Sequence, residues 1–122
     1  MRTPHGQYPE YHTSADNLEF VCPAALTDSF TKCLAALAVL EHNQTYVNQN
    51  PKCEPRLGKR GLYRAVGGQA GGVVDELAML WVLNLSDGTS SLLDIAERSG
   101  CRFESLKQAA DTLLAHDLLK VA

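Results

Sequence analysis

From Leu26 to Glu41 the apolar positions recur at steps of three and four. Leu26, Phe30, Cys33, Leu34, Leu37 and Ala38 fall on one face at helical period, with Glu41 continuing the series. Pro23 suits a first helical position and Asn43 a helix end, so a helix is predicted over about Pro23 to His42. Residues 1–21, rich in Pro, His, Tyr and polar residues, lack any such period, and the string 18-LEFV-21 is too short for more than one strand or a turn. Residues 43–72 are equally aperiodic and hold Pro51, Pro55, Gly58, Gly61 and the run 67-GGQAGG-72, the composition of a linker. A phosphate-cradling loop needs a preceding strand and a following Lys-Ser/Thr. Val73-Val74-Asp75 follows here, which argues against nucleotide binding.

Three helical segments come next in quick succession. The first, about Val73 to Leu85, sets Leu77, Leu80, Trp81 and Asn84 on one stripe flanked by Val74, Ala78 and Leu85, and stops at Ser86-Asp87-Gly88. The second opens at Ser91 with Asp94 three residues on, a capping box with the shorter carboxylate; it buries Leu92, Ile95 and Ala96 and ends at Ser99-Gly100. The third runs from about Phe103 to His116 with Phe103, Leu106, Ala109, Ala110, Leu113 and Leu114 inward, and 118-LLKV-121 reads as a short strand. This order, and the string 90-SSLLDIAERSGCRFESLKQAADTLLAHDLLK-120 in particular, resembles a winged-helix-type helix-turn-helix. The fold class expected is therefore mainly α: three helices plus a short strand, preceded by a loop and one long helix. Since no return strand follows Val121, the wing is expected to lack its second strand.

Charge changes what such a module is expected to do. Residues 1–72 carry seven Lys/Arg against six Asp/Glu, a balance of +1, whereas residues 73–122 carry four against eight, a balance of −4. In DNA-binding winged helices the third helix offers Arg, Lys, Asn or Gln to the major groove. The outward positions here are Glu104, Ser105, Lys107, Gln108, Asp111, Thr112 and Ala115. With two acids and one base where phosphates would lie, nucleic acid is disfavoured and docking against a protein or a neighbouring domain, or homodimerisation, is preferred. The composition, 45% hydrophobic and 20% charged, is that of a chain able to bury a core. No apolar run reaches the length of a membrane span and Met1-Arg2-Thr3-Pro4-His5 is not a signal peptide, so a cytoplasmic protein without a membrane partner is expected. Cys22, Cys33, Cys53 and Cys101 form no C-x-x-C pair, and reduced thiols are expected.

The segment 8-YPEYHTSADNLEFV-21 carries a second resemblance. Its core, 11-YHTSADN-17, resembles the loop that bears the last metal ligand of di-zinc aminopeptidase-like exopeptidases. The continuation through 51-PKCEPRLGKRGLY-63 into the helix-turn-helix is similar to the C-terminal part of a bacterial subgroup in which a winged-helix domain follows the peptidase fold. The resemblance implies that His12 descends from the terminal zinc ligand, and that Asp16, four positions on, orients that imidazole or its loop. It also implies zinc as the cofactor of intact relatives. The rest of such a site, namely a bridging carboxylate, further His and Asp/Glu ligands and a glutamate general base, lies well upstream in the family. Only ten residues precede Tyr11 here, and Glu10, Glu19, His5, His42 and His116 have no ligand spacing. Zinc binding by this chain alone is thus not expected, and no catalytic residue is assigned within it. Lys59 and Arg60, between Gly58 and Gly61, could form a cationic turn for a carboxylate or phosphate; a solvated basic loop fits them as well.

Taken together, the expected domains are residues 1–66 from the C-terminal part of an aminopeptidase-like domain, a linker at 67–72, and a winged helix at 73–122. The expected function is that of a non-catalytic C-terminal piece of a zinc aminopeptidase-like protein whose winged helix docks a domain or protein. Two alternatives stand beside it: a small DNA-binding transcription regulator, and a zinc peptidase completed by a partner chain.

Overall fold

Helix α1, Pro23–His42, forms over the span that the apolar spacing predicts. It contains no interior Gly or Pro, is rich in Ala and Leu, and is braced on its surface by an Asp28–Lys32 ion pair at 2.7 Å, one turn apart. The computed structural model describes residues 3–62 and 75–122. It divides the chain into two compact units, Met1–Glu41 and His42–Ala122.

In the first unit, residues before α1 run through successive hydrogen-bonded turns, among them Tyr11 N to Tyr8 O and Asp16 N to Thr13 O. The string from Leu18 to Val21 belongs to a turn, with Glu19 and Phe20 N–H groups donating to the Asn17 side chain. No residue of α1 is buried, and Leu26, Phe30, Leu34 and Leu37 are 59%, 64%, 48% and 60% exposed. The expectation that no apolar run could span a membrane needs correction. By length and composition alone the 20-residue α1, with a mean hydropathy of 1.2, is long and apolar enough to cross one.

The second unit holds a core covered by a small sheet. Strand β1, Thr45–Asn48, lies at the centre of the order β2-β1-β3, flanked by β2, Asp87–Ser91, and β3, Leu119–Val121. Both neighbours pair with it antiparallel, in the registers Val47 opposite Asp87 and Tyr46 opposite Val121. Thr-Tyr-Val suits a pleated surface, and Tyr46, 1% exposed, reaches the core. The polar β2 is held by that pairing. It bulges between its two registered positions, and at Gly88 (φ 89°) a Cβ would stand 3.2 Å from a Val47 methyl.

Three helices pack behind the sheet: α2, Glu76–Leu85; α3, Leu92–Ser99; and α4, Phe103–Ala115. Asp75 caps α2 by accepting from Leu77 N. Ser91 and Asp94 close the expected capping box on α3, which ends at Gly100 in the left-handed region. Asn43, read from the sequence as a stop for α1, accepts a hydrogen bond from Leu93 N at the start of α3. The core draws Leu92 and Ile95 from α3 and Leu106, Ala109, Ala110 and Leu113 from α4. It also draws Leu57 from a 3-10 turn, Leu57–Arg60. Mainly helical with a three-stranded sheet, the chain has the expected winged-helix class.

Four expectations are corrected here. The strand thought missing after β3 is supplied from upstream, because β1 fills the place beside β3 that a return strand would take. The second unit therefore begins at His42, and residues 45–60 belong to it and not to the segment ending at 66. The winged helix expected at 73–122 is not complete within those residues, since Tyr46 and Leu57 are part of its core. On α2 the stripe is misphased: Ala78, Met79, Val82 and Leu83 are buried, whereas Leu77 is 57% exposed and Trp81 only packs at the core's edge. The linker 67–72 and the expected helix start at Val73 lie outside the described residues.

Candidate functional site

Four places could carry function, and the chain positions each differently. His12 sits in a turn with its backbone in the left-handed region at φ 59°, and its ring lies against Tyr11 with centroids 4.1 Å apart. Thr13 stabilises this bend, its hydroxyl donating to Glu10 O and accepting from Ala15 N. Asp16 is not turned to the imidazole. It accepts a hydrogen bond from the Tyr8 hydroxyl at 3.4 Å, and among the described residues no bond joins it to His12. Desolvation first, and the Asp16 carboxylate second, hold the Tyr8 phenol above its usual range. Tyr8 also stacks on Phe20 and meets Tyr11 edge-on. The described residues contain no group of three or more His, Cys, Asp or Glu that could hold a metal ion. A four-coordinate zinc site would thus need ligands beyond this set, and no step through zinc is derived for this chain.

Lys59 and Arg60 do form a turn, capped by Gly61 at φ 71°. The two are not equivalent within it. Arg60 Nη1 donates to the carbonyl of His116 at 3.1 Å, so its guanidinium sits at the negative end of α4, while Lys59 is exposed.

Along the outer side of α4 the charges pair with one another. Lys107 Nζ lies 2.7 and 2.6 Å from the two carboxylate oxygens of Asp111, and Glu104 lies 3.5 Å from Arg102. The four cysteines are free thiols, and Cys33, placed by its spacing on the apolar face of α1, is exposed.

Sequence reasoning missed a concavity. A cavity of about 610 Å³ lies beside α2, lined by the Leu77, Leu80, Trp81 and Asn84 stripe together with Asn48, Pro51, residues 53–55 and the start of β2. Glu54 and Asp87 supply acids to it, and Ser86 lies in its wall. Hydrogen bonds from the Thr89 hydroxyl and from backbone N–H groups keep the Asp87 carboxyl below the usual carboxylate range. The one available signal was Asn84, the single polar residue inside an otherwise apolar helix, which marks a side that reaches solvent.

Comparison with known proteins follows this division. Residues 1–43 match a domain of unknown function (DUF4910), and residues 44–121 match a winged helix-turn-helix family. A Clostridium acetobutylicum protein, provisionally named for polysaccharide biosynthesis and an aminopeptidase-like domain, is 52% identical over 121 residues. That alignment takes in 99% of this chain and 28% of the relative, so the chain spans less than a third of the relative's length. A crystal structure of a protein from the same organism, provisionally named as a peptidase, superposes with a TM-score of 0.81 at 49% identity. The superposition covers 94% of this chain and 24% of that one. The relationship is to peptidase-like proteins along nearly the whole chain, and by its match over residues 44–121 the chain belongs to the winged helix-turn-helix family.

Proposed function

We propose that this chain is a non-catalytic part of a zinc aminopeptidase-like protein, and that its winged helix docks a domain or a protein in place of reading DNA. The similarity to aminopeptidase-like relatives supports the first half. The observation carrying the second is the outer face of α4, where Lys107 is engaged by Asp111 and Arg102 by Glu104. Phosphate neutralisation needs unpaired cations in quantity, and this face does not offer them. In the same reading, the exposed apolar face of α1 packs on parts of the longer protein outside this chain. Those parts also carry the remaining zinc ligands and the general base.

A gel-shift series with duplex DNA across 50–200 mM salt tests the docking half. Weak binding with a shallow salt dependence is expected. Tight binding with a slope of several phosphate contacts would make the module a DNA reader.

His12 favours a second reading, in which a partner chain completes a zinc site. The residue is exposed in a left-handed turn, with its ring in contact with tyrosine. Zinc titration calorimetry on the isolated chain should give no stoichiometric submicromolar site, since one protein ligand cannot fill a four-coordinate shell. A tight site abolished by His12→Ala would instead restore metal chemistry to this chain.

A further inference from the structure

Helix α1 carries an exposed apolar stripe with the spacing of a helix–helix seam. Leu26, Phe30, Cys33, Leu37 and Leu40 follow one another at alternating steps of four and three, and all of them are exposed, Leu40 at 69%. That alternation is the a/d pattern of a coiled coil, with Phe30 and Leu37 at a and Leu26, Cys33 and Leu40 at d. Over the 20 residues of α1 it extends for nearly three heptads without an interior Gly or Pro.

The seam is complementary to a second copy of itself. In an antiparallel pair each a position meets a d position, so Leu26 lies opposite Leu37 and the bulky Phe30 opposite the small Cys33, large filling the room that small leaves. A parallel pair would set Phe30 against Phe30 and align the two helix dipoles unfavourably. Charge agrees with the antiparallel order. The residues flanking the seam along its length are Thr27, Ser29, Leu34 and Ala36, all neutral, and Glu41 flanks only its last position. Asp28 and Lys32 lie away from the seam and pair with each other at 2.7 Å, so no like charges face one another along it.

We propose that the 122-residue chain pairs with a second copy through this face of α1, as a two-fold symmetric antiparallel helix pair. The pairing goes beyond the docking reading and is independent of it: that reading rests on α4 and on cover from a longer protein, whereas the pairing is a property of the chain by itself.

Sedimentation equilibrium of the full chain, from about 10 μM to about 1 mM, spans the affinities expected of so short a seam. A reversible monomer–dimer equilibrium is expected. Leu37→Lys places a charge in the seam at a position that is exposed in the monomer, and it should weaken the dimer by about tenfold or more. Ala35→Lys, on the opposite side of the same helix, should change it by less than about twofold. Circular dichroism melts of the second unit should be the same in both variants as in the parent. The proposal is overturned if the parent sediments as a monomer throughout, if the dimer persists in Leu37→Lys, or if Ala35→Lys dissociates it equally. A monomer that floats with phosphatidylcholine vesicles would give the face to lipid instead, and one that does not would leave it to a longer protein's own parts. A disulfide that forms readily on diamide oxidation of the parent and is lost in Cys33→Ser would show a parallel pair and overturn the antiparallel arrangement.

Discussion

Helices α1 and α4 read alike in the sequence and behave differently in the fold. Each has an apolar stripe at helical period, yet Leu106, Ala109, Ala110 and Leu113 of α4 are fully buried while Leu26, Phe30, Leu34 and Leu37 of α1 remain exposed. A 3.6-residue period identifies a face and says nothing about what covers it. For α4 the cover is supplied by α2 and α3, a few residues away in the same unit. For α1 no residue is buried, and its leucines stay exposed.

The sharpest way to break this contrast is truncation. A chain begun at His42 should melt cooperatively by circular dichroism, because the second unit then keeps its whole core and sheet. A chain begun at Gly71 loses Tyr46, Leu57 and the strand that joins β2 to β3, and it should show no cooperative melt. If the two melt alike, the second unit does not depend on β1.

Next in size is a pair of leucines. Leu113→Ala, at a site with no exposure, should cost about 2–5 kcal/mol in urea unfolding, whereas Leu34→Ala, 48% exposed, should fall within about 0.5 kcal/mol. Equal losses would mean that α1 is covered after all. Smaller again is Ser91→Ala, which opens the capping box of α3 and should cost about 1 kcal/mol. Its counterpart in α1, Ser29→Ala, removes only a hydroxyl bond back to Ala25 O and should cost nothing measurable.

The smallest effect is a pH dependence. The Ser91 hydroxyl, and after it the Ser91 backbone N–H, hold the Asp94 carboxyl below its ordinary range. Its contribution is therefore fully present above the unfolded value of about 3.9 and fades as pH falls through the lower folded value. The gap in Tm between the parent and Asp94→Asn should be widest near pH 7 and narrow as pH falls below 4. A gap constant across that range would remove the carboxylate from the cap.

Where one local signal decided an element, the sequence was legible. The bounds of α1, the Ser91–Asp94 box and the inner face of α4 all follow from spacing within a single helix. Strands β1 and β2 were not legible, because four residues in an aperiodic stretch and the polar Asp87-Gly88-Thr89-Ser90-Ser91 become strands only by pairing with each other and with β3. Helix α2 failed for a different reason: nearly every residue of ELAMLWVLNL is apolar, so no phase stands out, and the face chosen was the one lining the cavity. The cavity itself joins two separated stretches of chain, and the Ser86 hydroxyl shows itself as unpartnered only once the chain has folded. Of the residues singled out early, Arg60 found an unforeseen partner in the carbonyl of His116, and Asp16 found Tyr8.

The upstream origin of β1 sets a schedule for folding during synthesis. The middle strand leaves the ribosome first, and its partner Val121 follows it by some seventy residues, roughly 4–15 s at ordinary elongation rates. Both edges of β1 are open until β2 follows, and the edge that takes β3 stays open for the whole interval, the condition under which strands recruit neighbours on other nascent chains. At only four residues, ending in Asn48, β1 is a short template, and its brevity restrains that recruitment until β3 arrives.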